Sequence, residues 1–260
     1  MKLSTPSLCL VIALLSVPSP CIAFPVSISP KNGLQRTVSL ITPVKNGMVG
    51  NNERNLRLHA SLRPAAEPLL ASGKALARSG ELLVDTTTSL EMYGGALSAA
   101  GAGVRNAGDC VAQAAASCRF KTAAELVCDE LREAGLCLTE ASGKLKLAVE
   151  EAMVDDAEFA VIVESSIPAM AKCGTSLEAA GAGIMQRIPL VEIGNRLEEA
   201  GESLKDLSGT VLKIAEERDE TKLSSQRMEF AGSKMIEAGN MLSGTPVEKP
   251  KGKGWLKGGL

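Results

Sequence analysis

The chain of 260 residues contains one histidine, His59, which we expect to lie in a presequence that is removed from the mature protein. Ser-His-Asp and Cys-His catalysis and histidine-ligated zinc or haem all need this side chain. A mature body without histidine excludes these chemistries. We therefore expect no catalytic, cofactor-binding or metal-ligating residues and no cofactor. An enzyme is the least favoured class of function.

Five cysteines lie in the part of the chain that we expect to be retained. No two of them form a Cys-x-x-Cys pair, which disfavours zinc, iron–sulfur and thioredoxin-like sites. Cys118, Cys128 and Cys173 occupy packing positions of a glycine repeat described below, where cysteine acts as a small apolar residue. Cys110 and Cys137 lie off those positions and are the candidate reactive thiols.

Other sequence patterns that could indicate catalysis or cofactor binding are weak. Adjacent acidic residues on a helix point in different directions, so such pairs predict solvated faces rather than paired catalytic carboxylates. The Gly-Ala-Gly sequences at 101–103 and 181–183 match the start of a dinucleotide-binding fingerprint, but no predicted strand precedes either one. Such adjacent acidic pairs include those at 150–151, 155–156, 198–199 and 216–217.

Charge is segregated along the chain, whose net charge is −2. The first 63 residues hold seven Lys or Arg and one acid, and residues 246–260 hold four Lys and one acid, so the body between them is acidic. An acidic body repels phosphates, and we expect no nucleic-acid partner. Residues 245–260 form a predicted flexible basic tail. Trp255, with Lys253 and Lys257, is a candidate docking site for a partner or an anionic membrane surface, and a disordered tail is the alternative.

The N-terminus has the features of two targeting signals in series. Residues 8–17 form a short apolar run, and Cys21-Ile22-Ala23 places small residues before a predicted cut after Ala23, so residues 1–23 are typical of a cleaved signal peptide. Residues 24–60 are rich in Ser, Thr, Asn, Lys and Arg, as in a transit peptide. A second cut near 59–61 is predicted.

The junction Ala23-Phe24-Pro25-Val26 resembles the Ala-Phe-Ala-Pro junction of the bipartite plastid presequence of algae with red-type complex plastids, although the spacing of Phe and Pro differs by one. The resemblance covers only about the first 60 residues. It implies delivery to a plastid through the secretory pathway and implies nothing about the activity of the body. A secreted or vacuolar protein with an N-terminal linker is the alternative.

Twelve glycines of the body share one context, an aliphatic residue three positions later, and most of them recur at a spacing of seven. Such spacing places them on one face of a helix, with glycine at one seam position of a heptad and an aliphatic residue at the other. Helix C-caps and turns are the alternative interpretation. The glycines are Gly73, Gly80, Gly94, Gly101, Gly108, Gly135, Gly174, Gly181, Gly194, Gly201, Gly232 and Gly239.

Twelve glycines within helices would cost about 12 kcal/mol relative to alanine, which is comparable to the net stability of a domain. Close approach of a neighbouring backbone offers the offsetting contacts. We therefore predict that these glycines are helix-seam packing residues.

The body, residues 61–244, is predicted to be all-α, an antiparallel bundle of about five to six long amphipathic helices with Gly and Ala heptad seams. The expected helices span about 64–93, 94–117, 122–153, 155–187, 189–218 and 221–242. Thr122 with Glu125 is a capping-box signature, and we expect an interruption at Pro168 in the fourth helix. Uneven spacing of the repeats argues against a regular solenoid.

The expected function is that of a non-enzymatic structural or protein-interaction protein of a plastid. Its glycine seams would pack helices within the chain or against copies of itself, so a protein partner or self-association is expected. One alternative is a thylakoid- or lipid-surface-associated protein with amphipathic helices that contact a membrane. Another is a secreted or vacuolar helical protein.

Overall fold

The computed structural model describes residues 62–87, 94–119, 124–214 and 219–245. The predicted presequence with His59, the predicted basic tail with Trp255, Lys253 and Lys257, and the capping threonine Thr122 lie outside the described residues. All of the described residues belong to one unit of the chain.

Six long helices account for nearly all of these residues, and the described part of the chain contains no strand. The all-α prediction is therefore confirmed, with six helices rather than five. A 3-10 turn, Arg63–Ala65, precedes the first helix. The helices are α1 (Ala66–Thr87), α2 (Gly94–Arg119), α3 (Ala124–Asp155), α4 (Ala157–Gln186), α5 (Leu190–Ile214) and α6 (Asp219–Ser243).

The helices form a closed ring in which each packs antiparallel against its neighbours. The most extensive contacts join α1 to α2, α3 to α4, and α5 to α6, so the ring consists of three helical hairpins. Contacts of α2 with α3, of α4 with α5, and of α6 with α1 join the hairpins to one another. The first and last helices are therefore neighbours.

The interior of the ring is lined mainly by aliphatic side chains and methionine. Of the twelve aliphatic residues that follow the repeat glycines, eleven are buried and Leu83 is half-buried. The largest fully buried side chains are Leu76, Val104, Leu131, Leu138, Leu177, Ile184, Ile193, Leu197, Leu204, Leu207, Met228 and Met235.

Buried serines join the first and last helices. The Ser79 hydroxyl lies 2.8 Å from the Ser224 hydroxyl and 3.0 Å from the Ser224 carbonyl oxygen, and the Ser224 hydroxyl lies 3.0 Å from the Ser79 carbonyl oxygen. Two turns away along each helix, the Ser72 hydroxyl donates to the Ala231 carbonyl oxygen at 2.8 Å. Serine is small enough for close approach and satisfies its own hydroxyl across the interface, so these contacts close the ring.

The turns between helices have recognisable caps. Asp156 begins α4 by accepting a hydrogen bond from the Phe159 amide at 3.0 Å. After α4, Arg187 adopts the left-handed conformation, φ 57°, that glycine usually supplies at this position. Gly244, with φ 75°, follows the end of α6.

The expected interruption at Pro168 is wrong, because α4 continues through this residue. Pro168 is exposed, and so is Glu164, whose carbonyl group would accept the missing backbone hydrogen bond. Water can satisfy that carbonyl on the outer face of the ring, so the helix axis does not have to break.

One end of the ring is filled by the N-terminal segment. The 3-10 turn packs against α6, α1 and α2, and Leu62, Ala65 and Ala66 are all buried there. The opposite end, where the two helices of each hairpin are joined, has no such segment among the described residues.

Candidate functional site

The first hairpin shows how the repeat glycines are used. A Cβ atom placed on Gly73 would lie 2.7 Å from the Gly108 carbonyl oxygen and 2.5 Å from the Ala112 amide nitrogen. A Cβ on Gly80 would lie 2.7 Å from the Gly101 carbonyl oxygen. These distances are too short for any side chain. The two backbones therefore touch where the glycines of α1 and α2 face each other.

The same register recurs in the other two hairpins. The pairs, with the distance from a Cβ built on the first residue to the carbonyl oxygen of the second, are Gly135 and Gly174 (2.5 Å), Gly181 and Cys128 (2.6 Å), Gly194 and Gly239 (2.5 Å), and Gly201 and Gly232 (2.6 Å). Each hairpin thus has two facing pairs seven residues apart, and Cys128 takes a glycine position. In place of Cβ, a Cα hydrogen points at the facing carbonyl, which is the geometry of a weak Cα–H···O contact.

Glycines outside the repeat behave differently. Cβ atoms on Gly95, Gly143 and Gly209 would meet nothing within 4 Å. Gly209 has an aliphatic residue, Leu212, three positions later, but neither Gly nor Cys stands seven residues away on either side. A glycine or cysteine seven residues away therefore distinguishes the seam glycines from other helical glycines better than an aliphatic residue three positions later does.

Two further close approaches were not predicted from the sequence. A Cβ on Gly103 would lie 2.9 Å from the Ala141 Cβ, so α2 also approaches α3 closely. A Cβ on Gly183 would lie 2.5 Å from the Ile188 side chain, which folds back over the end of α4. Gly94 is buried at the start of α2.

The seams lie between helices of the same chain. Each described glycine pair faces its partner within one hairpin, so these surfaces are covered and cannot also pair with a second copy. Any self-association would have to use the outer surface of the ring.

Three cysteines are packing residues in the structure. Cys118, Cys128 and Cys173 are buried, and burial raises the pKa of the Cys118 and Cys173 thiols to about 12. A thiol held protonated in an apolar interior is a poor nucleophile.

The structure brings Cys110 and Cys137 together across the contact between α2 and α3. Both are half-buried, and they lie close enough for each thiol to influence the pKa of the other. Burial, with the neighbouring Cys137, Glu130 and Glu133, raises the pKa of Cys110 to about 11. Burial also raises the pKa of Cys137, with Glu133 adding to the effect and the neighbouring Cys110 thiol opposing it.

This environment predicts slow thiol chemistry at neutral pH. We expect Cys110 to react with iodoacetamide roughly twentyfold more slowly than free cysteine at pH 8, because the small thiolate fraction outweighs the higher nucleophilicity of the thiolate. Cys137, whose pKa is also raised, should react more slowly than free cysteine as well. The rate at Cys110 should rise about tenfold per pH unit between pH 8 and 10. Peptide mass spectrometry would measure each cysteine separately, with Cys173 as the unreactive internal reference. Labelling at pH 7 as fast as that of free cysteine would contradict the assignment.

A cavity inside the ring is the feature best suited to bind a molecule. It has a volume of about 140 Å³, and all six helices contribute to its wall. The residues that line it are Leu83, Thr86, Thr87, Leu97, Ala100, Gly101, Val104, Leu145, Phe159, Ser166, Met170, Leu207, Val211, Thr221 and Met228. None of these side chains is charged.

The few hydroxyl groups in the wall are largely used by their own helices. Thr86 and Thr87 donate at 2.6 Å to the carbonyl oxygens of Leu82 and Leu83, and Ser166 donates at 2.6 Å to that of Val163. The wall that remains is apolar. Such a space accepts hydrocarbon and offers nothing for acid–base or nucleophilic chemistry.

The cavity was not predicted from the sequence. The available signal was a set of hydroxyl residues, such as Ser166 and Thr221, at positions where the helical pattern requires buried residues. Within the described residues, no group of three or more His, Cys, Asp or Glu side chains is arranged to hold a metal ion. No helix in the described part of the chain is long and apolar enough to span a membrane.

Comparison with protein-family models, with known proteins and with solved structures found no match to this chain.

Proposed function

We propose that this chain is a non-enzymatic interaction protein of a plastid and that its partner is a small apolar molecule held in the cavity of the ring. The observation that carries the proposal is the cavity itself, an apolar space to which all six helices contribute. An apolar cavity of roughly 150 Å³ stays free of water and can take up benzene, so a space of this size is sufficient.

The construction of the ring supports binding. Helices that touch backbone to backbone along three seams resist displacement, so the cavity is preformed and little conformational entropy is lost when a ligand enters. Burial of apolar ligand surface contributes about 25 cal/mol per Å². A rigid apolar cavity therefore favours an uptake function over a catalytic one.

The plastid part of the proposal rests on the presequence. It is tested by tagging the full-length protein, locating it in its cell and sequencing the N-terminus of the mature form. A mature N-terminus at Phe24 in a secreted fraction would contradict delivery to a plastid.

Binding in the cavity is tested with benzene as a probe and two matched variants. Benzene at about five times its dissociation constant should stabilise the full chain by about 1 kcal/mol and raise the melting temperature by about 2–4 °C. Ala100→Leu fills the cavity from its buried wall and should abolish the shift. Ala99→Leu adds the same atoms at an exposed position on the same helix and should leave the shift intact.

A melting temperature that does not respond to benzene in the unmodified chain would refute the proposed function. A response that survives Ala100→Leu would place the binding site elsewhere. Association with a lipid surface remains the second candidate, supported by Val154 and Val161, which are 81% and 59% exposed beside the turn between α3 and α4. Flotation with lipid vesicles measures that association directly.

A further inference from the structure

One hydroxyl group beside the cavity has no partner in the described part of the protein. Ten serine and threonine side chains are buried among the described residues, and nine of them make a hydrogen bond to a backbone or side-chain oxygen atom. The tenth is Thr221, which lines the cavity and is only 5% exposed. No described residue accepts a hydrogen bond from its hydroxyl or donates one to it.

The position of Thr221 in its helix explains the missing hydrogen bond. Elsewhere in the cavity wall, Thr87 donates to the carbonyl oxygen four residues earlier in its helix, and Ser166 donates to the one three residues earlier. Thr221 is the third residue of α6, so the corresponding carbonyl groups belong to residues that precede the helix. The helix therefore provides no acceptor for this hydroxyl.

A buried hydroxyl without a partner indicates a missing neighbour, because native proteins pair the large majority of their buried polar atoms. Water is a poor candidate for that neighbour, since a buried water molecule usually makes about three hydrogen bonds. The hydroxyl protons of Thr86, Thr87 and Ser166 are already donated to backbone carbonyl oxygens. A polar atom of a ligand in the cavity would satisfy Thr221 directly.

The wall of the cavity restricts the chemistry of that polar atom. None of the lining side chains is charged, so an ionised group would lose its hydration with one hydroxyl to compensate for it. Among the hydroxyls that line the cavity, Thr221 has the one proton that is not committed to another atom. An uncharged acceptor oxygen matches a free hydroxyl proton.

We infer that the ligand is a mainly hydrocarbon molecule with one uncharged acceptor oxygen, as in a small ketone or ether, and that this oxygen accepts a hydrogen bond from the Thr221 hydroxyl. The inference rests on the proposed function and adds to it the chemical class of the ligand. Thr221 distinguishes such a ligand from a hydrocarbon of the same shape.

The test uses two probes of nearly the same shape, cyclohexanone and methylidenecyclohexane, in which an oxygen atom replaces a CH₂ group. Their dissociation constants are measured by NMR titration of the full chain at pH 7. Thr221→Val replaces the hydroxyl by a methyl group and should weaken cyclohexanone binding about tenfold, because the ketone oxygen would then be buried without a partner. The same variant should not weaken methylidenecyclohexane binding.

Further variants separate the hydroxyl from the fold. Thr221→Ser keeps the hydroxyl and should retain cyclohexanone binding within about threefold. Thr175→Val makes the valine replacement at an exposed position of α4, where the hydroxyl donates to the Lys172 carbonyl oxygen at 3.0 Å, and should change neither affinity. Without a probe, Thr221→Val should raise the melting temperature by about 2–4 °C, because it removes an unpaired buried hydroxyl.

The outcomes distinguish this inference from the proposed function. If neither probe binds and benzene does not bind, the cavity is not a ligand site and the proposed function is refuted. If methylidenecyclohexane binds but cyclohexanone does not, or if Thr221→Val weakens both probes equally or neither of them, the cavity stands as a site and the oxygen-bearing ligand is overturned. A lower melting temperature of the probe-free Thr221→Val variant would also overturn it, because the hydroxyl would then be used within the protein.

Discussion

Replacement of Gly201 by alanine is expected to lower the melting temperature by about 4–8 °C. A Cβ at this position would lie 2.6 Å from the Gly232 carbonyl oxygen and 2.9 Å from the Ile236 amide nitrogen, so α5 and α6 would have to separate. Overpacking of this kind costs about 3 kcal/mol, and the better helix propensity of alanine returns about 1 kcal/mol. A net loss of about 2 kcal/mol gives this shift for a body of this size.

The matched control is a glycine replacement that should raise the melting temperature. Gly143 also lies within a helix, but it is exposed, and a Cβ there would meet nothing within 4 Å. Gly143→Ala should therefore stabilise the protein by about 1 kcal/mol and raise the melting temperature by about 2–4 °C. Gly201→Leu should destabilise the protein more than Gly201→Ala. Gly101→Leu should destabilise it less than Gly201→Leu, because the nearest atoms to a Cβ on Gly101 lie 3.1 Å away. Stabilisation by Gly201→Ala would contradict the seam.

The second large loss of stability is expected from replacing the buried serines between α1 and α6, where the ring closes. Simultaneous replacement of Ser72, Ser79 and Ser224 by alanine removes hydrogen bonds between α1 and α6 that are fully buried. Each is worth about 1 kcal/mol, so we expect a loss of about 3 kcal/mol and a melting temperature lower by about 6–12 °C.

The location of that loss is as informative as its size. Hydrogen exchange should accelerate in α1 and α6 more than in α3 and α4, because the closing interface opens first. Ser165→Ala with Thr175→Ala is the control, since both hydroxyls are exposed and donate within their own helix. Equal acceleration in all six helices would contradict a separate closing interface.

The sequence predicted the helices well because their signals are local. Pro189 precedes α5, Asp156 caps α4, and heptad spacing marks the buried face of each helix. Pro168 shows where local reasoning fails: the cost of a missing backbone donor depends on whether the orphaned carbonyl faces water, and only the packed ring determines that.

The ring and its cavity depend on long-range register and could not be predicted in the same way. The uneven spacing of the repeats disfavours a solenoid, but it does not predict that α6 packs against α1. Their positions off the seams make Cys110 and Cys137 candidate reactive thiols, but only the packing of α2 against α3 brings them together. A void arises from the way six helices meet, and heptad positions specify which face is buried without specifying how completely it is filled.

A ring of helices has no first member in space. The 3-10 turn at Arg63–Ala65 packs on α6, so the two ends of the described body meet at the same end of the ring. A circularly permuted chain that joins residue 245 to residue 62 through a short linker and begins at Ile188 would keep every seam and every closing serine. In the native order, the contact between α1 and α6 has the greatest sequence separation of any in the bundle, so it should form last during folding and limit its rate. In the permuted chain that contact becomes local, and the slow step moves to the interface between α4 and α5.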